Sequence, residues 1–145
     1  MIKNILVPYD FTNFSELAFQ KAIEIAKKFD SKLNLLTVIG SDIDTSGMDW
    51  VRSQEAHDET EVKSKEDLGK IKDSKGENVN ISVNIIHDPS ATSGILLFAE
   101  KNNIDLIVIG SHGRSGFKKL ILGSVASGVM TKSICPVLLV KPLKK

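Results

Sequence analysis

Three glycines and a serine near the C-terminal end, Gly110, Gly113, Gly123 and Ser124, are spaced as a phosphate-binding chain would space them. They follow the apolar run 105–109 directly, and a stretch compatible with a helix follows them. Glycine lets backbone N–H groups approach a ligand closely. A helix N-terminus adds unpaired amides and partial positive charge. The pattern points to an anion cradle and to a phosphorylated small molecule as its ligand. Ser124 has two readings: an N-cap, or a hydroxyl that donates to a phosphate oxygen. Between the glycines, Phe117, Leu120 and Ile121 recur at one-turn spacing and are read as the anchor of a flap. Arg114, Lys118 and Lys119 then point outward, toward a phosphate tail.

Other residues that bear chemistry carry less. His112 reads as an exposed loop histidine, and His57 and His87 lack metal-ligand spacing. Gly128 falls inside a helix, where glycine costs about 1 kcal/mol relative to alanine, so it is expected to allow close packing of that helix on the sheet. The one cysteine, Cys135, excludes an intramolecular disulfide and is expected to be buried and inert. Gly-x-x-x-x-Gly-Lys-Ser/Thr, an early Gly-x-Gly-x-x-Gly and Gly-x-Ser-x-Gly are all missing, which argues against a P-loop, a dinucleotide fold and an esterase elbow.

The elements that must position the cradle alternate along the chain. Residues 5–7 form a short apolar run ending at Pro8, Tyr9 and Asp10. Phe14, Leu17, Ala18, Ala22, Ile25, Ala26 and Phe29 recur at helical spacing, with Thr12 or Asn13 as N-cap. Residues 33–39 read as a second strand, 41–49 as a loop, and 50–74 as a charged helix with a narrow apolar stripe. Val79, Ile81, Val83 and Ile85 alternate with polar residues, which predicts a half-exposed third strand. A helix over 92–102, a central strand over 106–109, a helix over 124–132 and a strand over 137–140 complete the series. Such a β-α alternation implies α/β architecture, a parallel sheet with helices on both faces. Ligands then sit outside the carboxyl ends of the strands where their order reverses. Asp10 and the glycine segment share one cleft if the first and fourth strands are neighbours.

The 145 residues, with formal net charge +1, fit a single domain (1–145) and argue against a general nucleic-acid binder. From Leu106 onward there is no acidic residue, which suits phosphate. No apolar run approaches a membrane span, and Met1 to Asn4 shows no signal-peptide character, so no membrane partner and a cytoplasmic location are expected.

The spacing Gly110-x2-Gly113-x9-Gly123-Ser124 resembles the ATP-binding signature of the universal stress protein family. The resemblance extends to the opening residues 4–10, the turn Asp88-Pro89, the run 105–113 and the close 135–140. It implies an open five-stranded sheet ordered 3-2-1-4-5, as in the adenine nucleotide alpha hydrolase-like fold, a homodimer, and ATP as ligand, with Mg or Mn nearby. Carried over by position, Asp10 and Val38 or Ile39 line the adenine and ribose side. Gly110 and Gly113 contact ribose and phosphates, and Gly123, Ser124 and Val125 hold the phosphate tail. His87 stands where many relatives have glycine, and it is expected to narrow the adenine side or alter base selectivity. The fifth strand, 137–140, is apolar yet falls at an edge in that order, which supports a homodimer through it. The leading function is a nucleotide-responsive binding module. The alternatives are a slow ATPase or an autophosphorylating switch with Ser111, Ser115 or Ser124 as acceptor, and a structural protein with an empty cleft.

Overall fold

Five parallel strands carry the molecule, because βαβ crossovers bury both faces of the sheet they build. The structure, a computed structural model, describes residues 1–40, 47–76, 78–113 and 122–142. In chain order the elements are β1 (Asn4–Pro8), α1 (Asn13–Phe29), β2 (Lys32–Gly40), α2 (Trp50–Lys75), β3 (Asn80–Asp88), α3 (Ala91–Lys101), β4 (Leu106–Gly110), α4 (Ser124–Lys132) and β5 (Val137–Val140). The sheet order is β3-β2-β1-β4-β5, so the expected 3-2-1-4-5 architecture holds. Ile5 pairs with Leu106 and Leu6 with Ile107, which makes β1 and β4 neighbours and places the reversal of strand order between them.

The two faces have separate cores. Ile5, Val7, Leu33 and Leu35 meet Ala18, Phe19 and Ala22 of α1 and Leu68 of α2 on one side. Leu6, Leu36, Ile107 and Ile109 meet Ile95 of α3 and Ala126 and Val129 of α4 on the other. Alternate residues along each strand therefore serve opposite cores. On α1 the large side chain sealed inside is Phe19, whereas Phe29, at the end of the predicted apolar stripe, is 44% exposed. Thr12 is the N-cap of α1, its side chain accepting from the Ser15 amide. The third strand starts and ends later than the alternation suggested, because it pairs with β2 as far as Gly40 against Asp88. Gly40 is required there: its φ is +150°, and a Cβ would lie 2.6 Å from the Asp88 carbonyl oxygen.

Two glycines of the signature region also serve packing. A Cβ on Gly110 would lie 2.6 Å from the Phe14 carbonyl oxygen, so β4 closes on α1 only without a side chain. Gly128 admits Thr92, whose Cγ2 would lie 2.9 Å from an added Cβ. The expectation that Gly128 packs its helix on the sheet is thereby corrected: it lets α4 meet α3. Cys135 is only partly buried, packed against the α3/α4 core with its Sγ 3.4 Å from Ser133 Oγ. Among the described residues no helix is long and apolar enough to cross a membrane.

α2 buries only Ser64 and Leu68, so little apolar surface holds this 26-residue helix. Polar ties add to it. Lys75 Nζ lies 2.7 Å from Glu16 Oε2, and Tyr9 donates its phenol to Glu16 Oε1 at 2.8 Å. Burial raises the Glu16 pKa, but hydrogen bonds from Lys75, Tyr9 and Gln20 outweigh it and hold the carboxyl below its ordinary value. A depressed folded-state pKa contributes stability above the unfolded value of 4.5, and that stability is lost as pH falls through the folded value. Between about pH 6 and pH 3 the Tm of the native chain should therefore fall more steeply than that of Glu16→Gln. Parallel curves from thermal melts across that range would contradict the ion pair's role.

Candidate functional site

The site begins where β1 ends. Beyond Pro8, Tyr9 donates its amide to the Leu36 carbonyl at 2.7 Å, and the chain turns away at Asp10. Phe11 takes a left-handed φ of 66°, a conformation that costs an L-residue about 1–2 kcal/mol. Its ring stands edge-on to Tyr9 at 5.1 Å, and Asp10 Oδ1 accepts from the amide and hydroxyl of Thr12 at 3.1 and 2.5 Å. These contacts hold the strained turn and fix the Asp10 carboxylate. Burial, the hydrogen bond to Glu16 and the charges of Glu16 and Asp10 push the Tyr9 phenol well above its ordinary pKa, so it remains a donor.

β4 ends beside this turn. A Cβ on Gly113 would lie 2.9 Å from Asp10 Oδ2, so the bare backbone of one exit loop faces the carboxylate of the other. His112, expected as an exposed loop residue, is half-buried instead. Its Nδ1 is 3.0 Å from Ser111 Oγ, and its ring is 5.1 Å from that of Phe14. Gly123 packs behind the loop, donating its amide to the Ser111 carbonyl at 2.8 Å. Gly123, not Ser124, is the N-cap of α4, and among the described residues no side chain caps that helix. Ser124 is its first helical residue, which settles the two readings of Ser124 against the cap. An uncapped helix start leaves its first amides without intrahelical partners.

These loops enclose a cavity of about 500 Å³, within the range of small-molecule sites. Of the expected site residues, Asp10, Val38, Ile39, Gly110, Gly113, Ser124 and Val125 line it. Gly123 is not among the lining residues and supports the loop from behind. Arg114, Lys118, Lys119, Ser115 and the anchor residues Phe117, Leu120 and Ile121 lie outside the described residues. His87 is corrected: it is exposed, pairs through Nε2 with Glu61 Oε1 at 2.6 Å, and does not line the cavity. β3 carries its side chain out to α2, away from the sheet's reversal point.

Other lining residues escaped the sequence reading. Thr60 and Ser64 come from α2, Ala91 and Ile95 from α3, and Tyr9, Ser15, Thr37, His112 and Ala126 from the strand exits and helix starts. The hydrophilic i, i+4 pair on α2 was the one available signal, and it resembles any solvated helix face. Asp10 is the one carboxylate among the described residues that line it. Among the described residues no group of three His, Cys, Asp or Glu is placed to hold a metal by itself.

With this geometry in view, comparison with known proteins is specific. The sequence profile of the Universal stress protein family matches residues 1–141. Universal stress protein MJ0531 of Methanocaldococcus jannaschii is 36% identical over 150 residues, covering 100% of this chain and 85% of that protein. The structure of universal stress protein UspA from Lactobacillus plantarum superposes with a TM-score of 0.82 at 26% identity, covering 96% of this chain and 97% of that one. Two more distant structures share the fold. One is a universal stress protein in complex with cAMP (TM-score 0.63, 21% identity, 97% of both chains). The other is a universal stress protein family protein from Arabidopsis thaliana with AMP bound (TM-score 0.67, 20% identity, 97% and 92% of the chains). A profile match over nearly the whole sequence, a shared strand order and a cavity at the reversal point agree: the chain belongs to the universal stress protein family.

Proposed function

We propose that this protein is a nucleotide-responsive stress-response module that binds ATP in the cavity at the carboxyl edge of its sheet. The observation that carries the reading is the apposition of three features across one crevice: the bare backbone at Gly113, the uncapped start of α4, and the Asp10 carboxylate. Amides at Gly113 and at Ser124, Val125 and Ala126 suit a phosphate chain, which the helix dipole favours. Asp10, beyond Gly113, suits the ribose. A magnesium or manganese ion on the phosphates fits the same place, since such ions take one or two carboxylates together with phosphate oxygens, and Asp10 supplies one. When bound, the ion would neutralise phosphate charge. Adenine nucleotides in two structures of the same fold support a nucleotide in this one.

The reading takes residues 1–145 as one universal stress protein domain, and the single cysteine accords with a cytoplasmic location. It also includes a homodimer through β5. That strand is a sheet edge, and Ile134 beside it is 90% exposed, Met130 43% and Leu138 37%. A second copy paired along β5 covers both the apolar side chains and the unpaired edge. Dilution to nanomolar concentration on a sizing column should leave the dimer dominant. A well-behaved monomer as the main species would contradict it.

Ligand at about 100 times its Kd stabilises the native state by about 2.7 kcal/mol. Each kcal/mol moves the Tm of a chain this size by about 3–4 °C. Magnesium ATP at millimolar concentration should raise the Tm by several degrees in a thermal shift assay, and an unchanged Tm would count against the reading. Gly113→Val separates site from fold. Among the described residues its Cβ meets only the end of the Asp10 side chain, so the unliganded Tm should stay within a few degrees while the ATP-induced shift disappears. A Gly113→Val chain that retains the full shift would remove the bare backbone from the account.

A further inference from the structure

We infer that Thr60 of α2, with the adaptable Ser64 one turn on, selects a ligand base bearing an exocyclic amine over one bearing a carbonyl at the same place. The inference rests on the nucleotide reading above and concerns its far end. Along the carboxyl edge of the sheet the order is β2, β1, β4. The phosphate cradle lies at β4 and α4, Asp10 at β1, and the remaining part of the cavity at β2, where Thr37, Ile39, Thr60 and Ser64 line it. A nucleotide laid phosphate-first along that edge brings its base to this part.

The hydroxyls there are committed in one direction. Thr37 Oγ1 donates to the Tyr9 carbonyl at 2.8 Å, and Thr60 Oγ1 donates to the Ala56 carbonyl at 2.9 Å. A carbonyl only accepts, so both hydroxyl protons are used and both oxygens offer lone pairs. Ser64 is 9% exposed, and no partner for its hydroxyl occurs among the described residues. No described side-chain oxygen sealed from solvent lacks a partner, so the Ser64 hydroxyl opens to the cavity. This part of the cavity therefore accepts hydrogen bonds and has one adaptable group. An amine can donate to all three oxygens, whereas a carbonyl oxygen would find one donor, Ser64, and face lone pairs from two threonines. The wall is also fastened: Glu61, next to Thr60, is tied to His87 across the end of β3.

The test compares ATP with inosine triphosphate, which carries a carbonyl in place of the amine, by calorimetry on the full chain. The native protein should bind ATP at least tenfold more tightly. The double variant Thr60→Val with Ser64→Ala should bring that ratio below threefold, and Thr60→Ser, which keeps an acceptor, should retain most of it. Far-ultraviolet circular dichroism checks that each variant is folded. Equal affinity of the native protein for both triphosphates overturns the inference and leaves the nucleotide reading standing. Equal weakening of both ligands by the double variant also overturns it, because the two residues would then hold the ligand without reading the base. Binding of neither triphosphate would overturn the nucleotide reading, and this inference with it.

Discussion

The pairing of β1 with β4 governs the mouth of this molecule. Two strands far apart in sequence run side by side, and the chain leaves each in the opposite direction across the sheet. Their exit loops therefore diverge from a common crevice, and nothing from the sheet itself can fill it. Asp10 stands on one exit and Gly113 on the other, separated by less space than a side chain needs. The strained Phe11 backbone, the Thr12 contacts and the close approach of Gly110 to Phe14 all maintain that juxtaposition. Moving either strand by one residue would turn its alternate side chains to the wrong core and carry the loops away.

Within the crevice the glycines divide their duties. Gly110 is bare because α1 presses on it, and Gly123 is bare because the backbone of Ser111 and His112 lies 3.0–3.1 Å from where its Cβ would stand. Of the three, Gly113 is the one whose nearest described neighbour is the end of a side chain, Asp10 Oδ2, rather than backbone. Glycines read together as one phosphate cradle thus serve in part as scaffold. The start of α4 has the same dual character: its cap residue, Gly123, has no side chain to offer the first amides of the helix.

Much of this was legible in the sequence. The alternation of strand and helix signals located every element, and the bounds of α4 agree with the reading at both ends. Asp10, Val38, Ile39, Gly110, Gly113, Ser124 and Val125 were all placed in the cleft by spacing and resemblance, and they line one cavity. What was not legible came from contacts across elements. Nothing local in α2 distinguishes Thr60 and Ser64 from solvated residues; the helix's placement against the sheet brings them to the cavity. His87 looked intrusive because its sequence position adjoins the Asp88-Pro89 turn, yet the strand's alternation sends it to Glu61. Phe19 was passed over in favour of Phe29 because a stripe of apolar residues says nothing about where the opposing sheet ends.

The central claim is that backbone amides, rather than side chains, hold the ligand's phosphates. An amide proton–nitrogen spectrum recorded during titration with magnesium ATP tests it directly. The account predicts that the largest shifts fall on the amides of Gly113, Ser124, Val125 and Ala126, with Asp10 moving alongside them. Largest shifts centred on β3 or on the exposed face of α2, with those amides unmoved, would contradict it.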